Sequence, residues 1–419
     1  MIFKSTNMLL PQTIEMKKWA VIACDQFTSQ PEYWQRVKSF VGENPSTFHM
    51  IYPEAELSSF SRKRIMEINQ KMNQYKSILT EYPDSYIYVE RTLLDGRIRR
   101  GVIGVIDLEA YDYSNDSTSL IRATEQTVIE RIPPRLEVRK RACLELSHVL
   151  LLCDDEKKQL IEKVSEQKKT LALLYDFDLM ECGGHVKGWL LQGKEAEKFS
   201  VRLNDYMAGK REKCLTEGIS PLYFAVGDGN HSLATAKANY EQIKLENGGS
   251  KSEELARYAL VELENIHDES LVFEPIHRLV KTKDVNHLLK KLQIDLDLCM
   301  HNENPCESDS RKIEWYTENE NGTFILNSKE SSLSVEILQD FLDKYLKTYG
   351  GEIDYIHGES SLKNLICGKE MIGFVVPTIK KSDLFMVVAQ EGALPRKTFS
   401  MGHAEEKRYY IETRMIKED

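Results

Sequence analysis

The chain has 419 residues, 41% hydrophobic and 29% charged; this ordinary globular mix excludes whole-chain disorder and, at roughly 100–200 residues per domain, calls for two or three domains. The formal net charge of −10 excludes a general affinity for nucleic-acid backbones, while leaving room for one basic pocket that holds a small anion. No apolar run approaches the roughly 18 residues of a membrane span, and the opening stretch MIFKSTNMLLPQTIEMKKWAVIACDQF is broken by Pro11, Glu15, Lys17 and Lys18.

The expectation is therefore a soluble cytoplasmic protein. Its eight cysteines contain no CxxC pair and read as reduced, buried, apolar residues; the best zinc-type pairing is Cys182 with His185.

In chain order, the predicted elements begin with a short strand at Trp19–Cys24 and a helix opened by Pro31 at PEYWQRVKSFV. Residues 58–80 carry Ile65, Ile68, Met72, Tyr75 and Leu79 at helical spacing. YIYVERTLLDG and RIRRGVIGVIDLEAY form a hairpin with Asp95-Gly96 at its turn, and DYSNDSTS (112–119) is a surface loop. The stretch 120–152 gathers Arg122, Glu125, Glu130, Arg131, Arg135, Glu137, Arg139 and Arg141 around a prolyl turn. Those arginines either line an anion site or form a solvated helix face, and the run alone favours the second. HVLLLCDD is a buried strand ending in acids, followed by a helix at 155–168.

LALLYDFDLMECGGHVKGWLL reads as strand, Gly183-Gly184 turn, strand, with His185 just past the turn, and a helix follows at 194–208. Later elements are a strand at YALVELENI, a polar linker at 301–322, helices at SVEILQDFLDKYLKTYG and SSLKNLICG, and strands at MIGFVVPT and LFMVVAQ. The order lacks strict βαβα alternation, so the fold class is α+β or mixed α/β, multi-domain, with mixed sheets flanked by helices. The expected divisions are an N-terminal α+β domain (1–118), a central domain (119–300) and a C-terminal α+β region (301–419) packed on the central one. No internal repeat is present.

The segment richest in chemistry is SPLYFAVGDGNHSLATAKANYEQIK, residues 220–244. Leu222–Val226 is an apolar strand, Gly227-Asp228-Gly229-Asn230-His231-Ser232 a sharp polar turn, and Leu233 to about Leu245 an alanine-rich helix ended by Asn247-Gly248-Gly249. Gly227 and Gly229 allow a tight turn and close approach of a ligand. Free N–H groups and the dipole at a helix start favour an anion such as phosphate. His231 can donate to phosphate oxygens, Asp228 can hold Mg²⁺ or act as a base, and Asn230 and Ser232 can cap the helix. The plain alternative is routine helix capping around an ordinary Gly-Asp-Gly turn.

Two familiar signatures fail. GDGNHS lacks the third glycine of GxGxxG, and GWLLQGKE replaces the Mg²⁺-binding Ser/Thr of a phosphate loop with Glu195. GxSxG and HExxH do not occur.

Taken in order, WAVIACDQFTSQPEYW, ATEQTVIERIPPR, LLYDFDLMECGGHVKGWL, FAVGDGNHSLATAKANYE, FEPIHRLV and GALPRKTFSMG resemble, nearly end to end, a bacterial and archaeal family catalogued as domain of unknown function 1015. The DGNH turn is also similar to the DG-x-H-R motif of the ParB/sulfiredoxin superfamily, which includes kinases that phosphorylate free serine. That resemblance implies a ParB/sulfiredoxin-like strand–turn–helix unit whose motif His and Arg grip nucleotide phosphates. Asp228, Gly229 and His231 match it, and Ser232 stands at the arginine position. The strongest bidentate phosphate donor is thereby removed. Either Arg122, Arg131, Arg135 or Arg278 replaces it, or the nucleotide site is weakened. Lys397, in the late PRKT segment, is a further phosphate-ligand candidate, equally readable as an exposed basic strand end; His185 reads more readily as a satisfied loop histidine.

The implied activity is a nucleotide-dependent phosphotransferase acting on a small hydroxyl compound such as a hydroxy amino acid, with ATP or ADP and Mg²⁺. The alternatives are a regulatory protein that binds nucleotide or phosphate without turnover, and a ParB-like DNA-associated protein, which the net charge opposes. Oligomeric state is left open.

Overall fold

Apolar alternation along two long strands sets the architecture of the larger part of the molecule. On Leu79–Thr92, Tyr86 and Tyr88 enter one core while Ile87 and Val89 enter another. On Ile98–Asp107, Val102 and Ile106 oppose Ile103 and Val105 in the same way. Side chains alternate across a strand, so both faces of this sheet are apolar and both must be covered. One face packs under the helices Lys194–Glu217, through Phe199 and Leu203, and Asn230–Asn247, through Leu233, Ala236 and Tyr240. The other packs under Pro31–Val41, through Tyr33, Trp34, Val37 and Val41, and under the late residues Tyr409, Tyr410 and Ile411.

The computed structural model describes residues 1–59, 61–296, 299–300, 312–325 and 334–417. It divides into two units, Met1–Leu271 with Val388–Ala393 and Gly402–Asp419, and Val272–Val387 with Leu394–Met401. These divisions fall elsewhere than 118/119 and 300/301. Ile98–Asp107 pairs antiparallel with Tyr258–Asn265, so residues from both sides of position 118 share one sheet. Phe273–Lys281 pairs with Met371–Val375, so the second unit begins before 300.

In the first unit the sheet runs Tyr111–Asp112, Ile121–Ala123, Phe224–Asp228, Leu150–Cys153, Tyr258–Asn265, Ile98–Asp107, Leu79–Thr92, Thr6–Pro11, Thr413–Met415, Leu144–Leu146. Phe224–Asp228 is parallel to Ile121–Ala123 and antiparallel to Leu150–Cys153, so the sheet is mixed at the strand that carries the turn. The second unit is an antiparallel sheet covered by the helices Val285–Asp295 and Ser334–Tyr349, which bury Leu288, Leu292, Leu338 and Leu342 against Ile313, Trp315, Ile372 and Phe374. The molecule is thus mixed α/β with several sheets, as the element order predicts.

Local differences have local causes. LFMVVAQ lies in a helix, Lys381–Gln390; Leu384 and Val388 are buried one turn apart, and that spacing outweighs the strand preference of its valines. The helix expected from 155 starts at Ile161, because the Asp155 carboxylate takes the N–H groups of Gln159 and Leu160 in a preceding turn. The 58–80 helix is Arg62–Tyr75, and the opening strand is Val21–Ile22, preceded by a helical turn at Met16–Trp19. The helix from 194 runs on to Glu217. Of the polar stretch 301–322, residues 301–311 lie outside the described residues; Lys312–Tyr316 pairs with Asn321–Ile325.

Candidate functional site

The glycine turn is built by one bulge and one left-handed residue. Pairing with Leu150–Cys153 shifts register between Val226 and Asp228, placing Gly227 at an irregularity that lifts the strand end. Gly229 has φ +80°, and a Cβ there would lie 3.0 Å from Val149 Cγ2 and 3.1 Å from Val149 Cα. Both the backbone angle and the close approach call for glycine. The helix then begins at Asn230, with Gly229 as its cap. Asn230, His231 and Ser232 therefore form the first turn instead of capping it. Their N–H groups have no carbonyl partner within the helix, and the dipole adds positive potential at the same point.

Distant segments converge on this turn. Lys407 places Nζ 3.4 Å from Asp228 Oδ2. The N–H of Val128 donates to His231 Nε2 at 3.2 Å, so the neutral ring carries its proton on Nδ1. Ser232 Oγ lies 2.9 Å from His148 Nε2, and His148 Nδ1 lies 3.0 Å from the Tyr410 hydroxyl, which accepts the Cys24 N–H at 3.2 Å. Burial pushes the Asp25 carboxyl up, but His148, the Gln26 side-chain amide and Lys407 outweigh it and hold the group below the ordinary carboxylate range. Burial, reinforced by Asp25, raises the Cys24 thiol to about 11, so it is no thiolate at neutral pH.

The strap that presents Lys407 and Tyr410 is anchored by arginines. Arg91 donates to the carbonyls of Gly183, Glu405, Glu406 and Lys407, and Arg99 to that of Glu406. Arg408 pairs with Glu262 and Glu412 in the same buried layer.

The structure brings Asp228, Gly229, Asn230, His231 and Ser232 together on one turn, and one of the candidate arginines interacts with residues beside it. Arg135 sits on Ile132–Arg139, a helix packed on Asn230–Asn247; it pairs with Glu54 and interacts electrostatically with Cys24, Asp25 and Tyr410. Burial pulls its pKa below the ordinary value.

Arg122, 2% exposed, spends its guanidinium on the carbonyls of Ser119, Ser220, Pro221, Val388 and Ala389. Arg131 is exposed, and its carbonyl accepts from Arg135 at 2.6 Å. His185 is five strand steps away along the sheet, between Asp176 and Asp178 at 2.6 Å each. Arg278 and Lys397 belong to the second unit: Arg278 is fully buried on Gln339 Oε1 at 2.8 Å, and Lys397 is exposed.

Sequence reasoning missed Asp25, His148, Lys407 and Tyr410. The one signal for His148 was a polar residue heading an otherwise wholly apolar buried strand; Lys407 and Tyr410 gave none.

Among the described residues, the group of three metal-type ligands is Asp154, Glu156 and His267, with ligand atoms within 4.8 Å of one another. It lies past the other end of Leu150–Cys153 and does not include Asp228. No described helix is long and apolar enough to cross a membrane.

Several solved structures are similar in outline. SbnI with C-terminal truncation from Staphylococcus aureus matches at 10% identity and TM-score 0.38, over 72% of this chain and 82% of that one. A conserved hypothetical protein from Pyrococcus furiosus matches at 13% identity and TM-score 0.38, over 73% of this chain and 93% of that one. A free serine kinase in complex with AMP matches at 11% identity and TM-score 0.39, over 73% of this chain and 90% of that one. Likeness at this level assigns no role to any residue here. No curated protein matches the chain. A family model does, over residues 10–345, and the chain belongs to that family, described as protein of unknown function (DUF1015).

Proposed function

We propose that the chain is a phosphotransferase that seats a nucleotide's phosphates at the start of Asn230–Asn247 and passes a phosphoryl group to the hydroxyl of a small metabolite, a hydroxy amino acid being the model acceptor. The observation that carries this reading is the convergence of Asp228, Lys407, Asp25 and His231 on a glycine-capped helix start. In phosphoryl transfer the protein's work is positioning and neutralising charge. First-turn N–H groups and the His231 Nδ1–H suit phosphate oxygens, and Lys407 suits the developing negative charge. In this reading Asp228 either accepts the proton of an acceptor hydroxyl or helps to hold a metal ion. Asn230 Oδ1 and Thr127 Oγ1 are buried without a hydrogen-bond partner among the described residues, the kind of group a bound ligand satisfies.

Mg²⁺ fits this donor set, since it needs only one or two carboxylates besides phosphate oxygens and water, and Asp228 and Asp25 supply hard oxygen. Bound there, the ion would supply positive charge that neutralises the phosphates.

The second reading, binding without turnover, is favoured by one feature: the position of the motif arginine holds Ser232, whose hydroxyl engages His148 instead. One experiment separates the two. Thermal shifts are measured with ATP, ADP, AMP, pyrophosphate and phosphate, with and without Mg²⁺, and donor consumption is followed with a hydroxy amino-acid panel. Stabilisation with consumption supports the enzyme, stabilisation alone supports the binder, and no shift with any phosphate ligand overturns both.

A further inference from the structure

The departure from the DG-x-H-R pattern puts a hydroxyl, not a guanidinium, at the third position of the helix, and that hydroxyl has the surroundings of a nucleophile. Ser232 Oγ is 2.9 Å from His148 Nε2, within reach for general-base proton transfer. His148 is itself oriented: its Nδ1 lies 3.0 Å from the Tyr410 hydroxyl, and Tyr410 is held by the Cys24 N–H. His148 and Tyr410 are 6% and 3% exposed, so the pair is fixed in a packed environment, while Ser232 is only half-buried. The Asp25 carboxylate is close enough to His148 for the two to interact electrostatically, as required to stabilise an imidazolium. Nucleophile, base and orienting group thus come from Asn230–Asn247, the residue pair before Leu150–Cys153, and the strap at 402–412. The N–H of Ser232 also belongs to the first turn that the phosphates would occupy.

We propose that Ser232 takes up the phosphoryl group covalently, so that transfer passes through a phosphoserine at the helix start. This rests on the phosphotransferase reading. Ser232 Oγ attacks the terminal phosphorus of a nucleoside polyphosphate and gives its proton to His148 Nε2, with the His148 Nδ1–H donating to the Tyr410 oxygen. The bond from phosphorus to its bridging oxygen breaks, and the electron pair leaves with the shortened nucleotide. In the second half the acceptor hydroxyl attacks the same phosphorus and loses its proton to Asp228. The Oγ–P bond breaks, and His148 returns its proton to Ser232. No oxidant or reductant is involved, and a phosphoserine at a helix start is favoured by the dipole.

The test incubates the full chain with Mg²⁺ and ATP radiolabelled on its terminal phosphate, without acceptor. The expected result is an acid-stable label of about 80 Da on the peptide containing Ser232. It should be absent in Ser232→Ala and at least tenfold lower in His148→Gln. In a parallel incubation with ADP labelled in its base, the wild type alone should carry that label into ATP without acceptor, which establishes a covalent phosphoenzyme even if a variant does not fold, while the acid stability of the bound phosphoryl group assigns it to serine. Nucleotide-induced stabilisation with neither label nor exchange overturns the phosphoserine and leaves the phosphotransferase standing. An acid-labile label marks phosphohistidine and also overturns it. Neither stabilisation nor label overturns both.

Discussion

Two places in this chain put a histidine just after a glycine turn, and they behave differently. At the hairpin Ala172–Asp178/His185–Leu191, His185 bonds Asp176 and Asp178, the second its own cross-strand partner. Every group that satisfies it comes from the same hairpin, and the side chain is a third exposed. At the Gly227–Ser232 turn, the partners come from residues near 24, 128, 148, 407 and 410. The first arrangement completes itself locally. The second is completed only by folding, and it gathers two carboxylates, a lysine and two imidazoles at a helix start. A histidine beside a glycine turn is therefore weak evidence of a site; convergence of unlike charges from remote segments is the stronger sign.

The sharpest way to break the comparison is through the glycines. Gly184 has φ +83° and a Cβ there would sit 2.2 Å from the Thr92 carbonyl oxygen, whereas the Gly229 Cβ would meet Val149 at 3.0 Å. Gly184→Ala should cost about 4 kcal/mol or more, and Gly229→Ala about 2 kcal/mol, in urea denaturation. Equal costs would mean that the two turns are packed alike. If the order holds, the more demanding glycine is at the turn without a candidate site, so severity of packing and function are separable.

Next in size is ligand dependence. His231→Ala and Lys407→Ala should each weaken binding of ATP or pyrophosphate by roughly ten- to a hundredfold, the value of a charge-assisted contact of about 1.5–3 kcal/mol. His185→Ala should leave it unchanged. Calorimetric titration checks all three, and a matching loss in His185→Ala would erase the distinction.

A smaller effect probes the buried layer that anchors the strap. Glu264 is fully buried, 2.9 Å from Arg99 Nε, and burial raises its carboxyl to about 8 against the pull of Arg99. The folded protein then keeps a proton that the unfolded chain releases above about 4.5, so stability should fall as pH rises from about 4.5 to about 8. The slope is on the order of 1 kcal/mol per pH unit at most and should flatten in Glu264→Gln. A wild-type profile parallel to that of the variant would remove the claim.

The smallest effect is at the hairpin. Asp178, then Asp176, raise the His185 pKa against a little burial. Its contribution is fully present below about 6.5 and is lost as pH rises through the higher folded value. Exposure to solvent keeps it under about 1 kcal/mol, and Asp178→Asn should remove most of it.

Much of the fold was legible because its signals are local. Alternation along YIYVERT and RIRRGVIGVID, Asp95-Gly96 at their turn, the proline that opens Pro31–Val41 and the apolar spacing of Ser334–Tyr349 each depend on residues a few positions apart. The strand–glycine turn–helix unit was legible for the same reason, and the strings shared with its family pointed to it. The failures were cases of competition between local signals. Lys381–Gln390 contains adjacent strand-favouring valines but buries Leu384 and Val388 at helical spacing, and Asp155 diverted a helix start into a turn.

By itself, then, the sequence determined a mixed α/β protein and a polar glycine turn with Asp228, His231 and Ser232 at a helix start. Only the tertiary structure decided what surrounds that turn: Lys407 on Asp228, His148 beside Ser232, and Arg135, not the buried Arg122, on the helix packed against Asn230–Asn247. The reason is geometric. Strand pairing and a strap held by Arg91 and Arg99 bring together residues as far apart as Cys24 and Tyr410, 386 positions, and no periodicity or short motif encodes that separation.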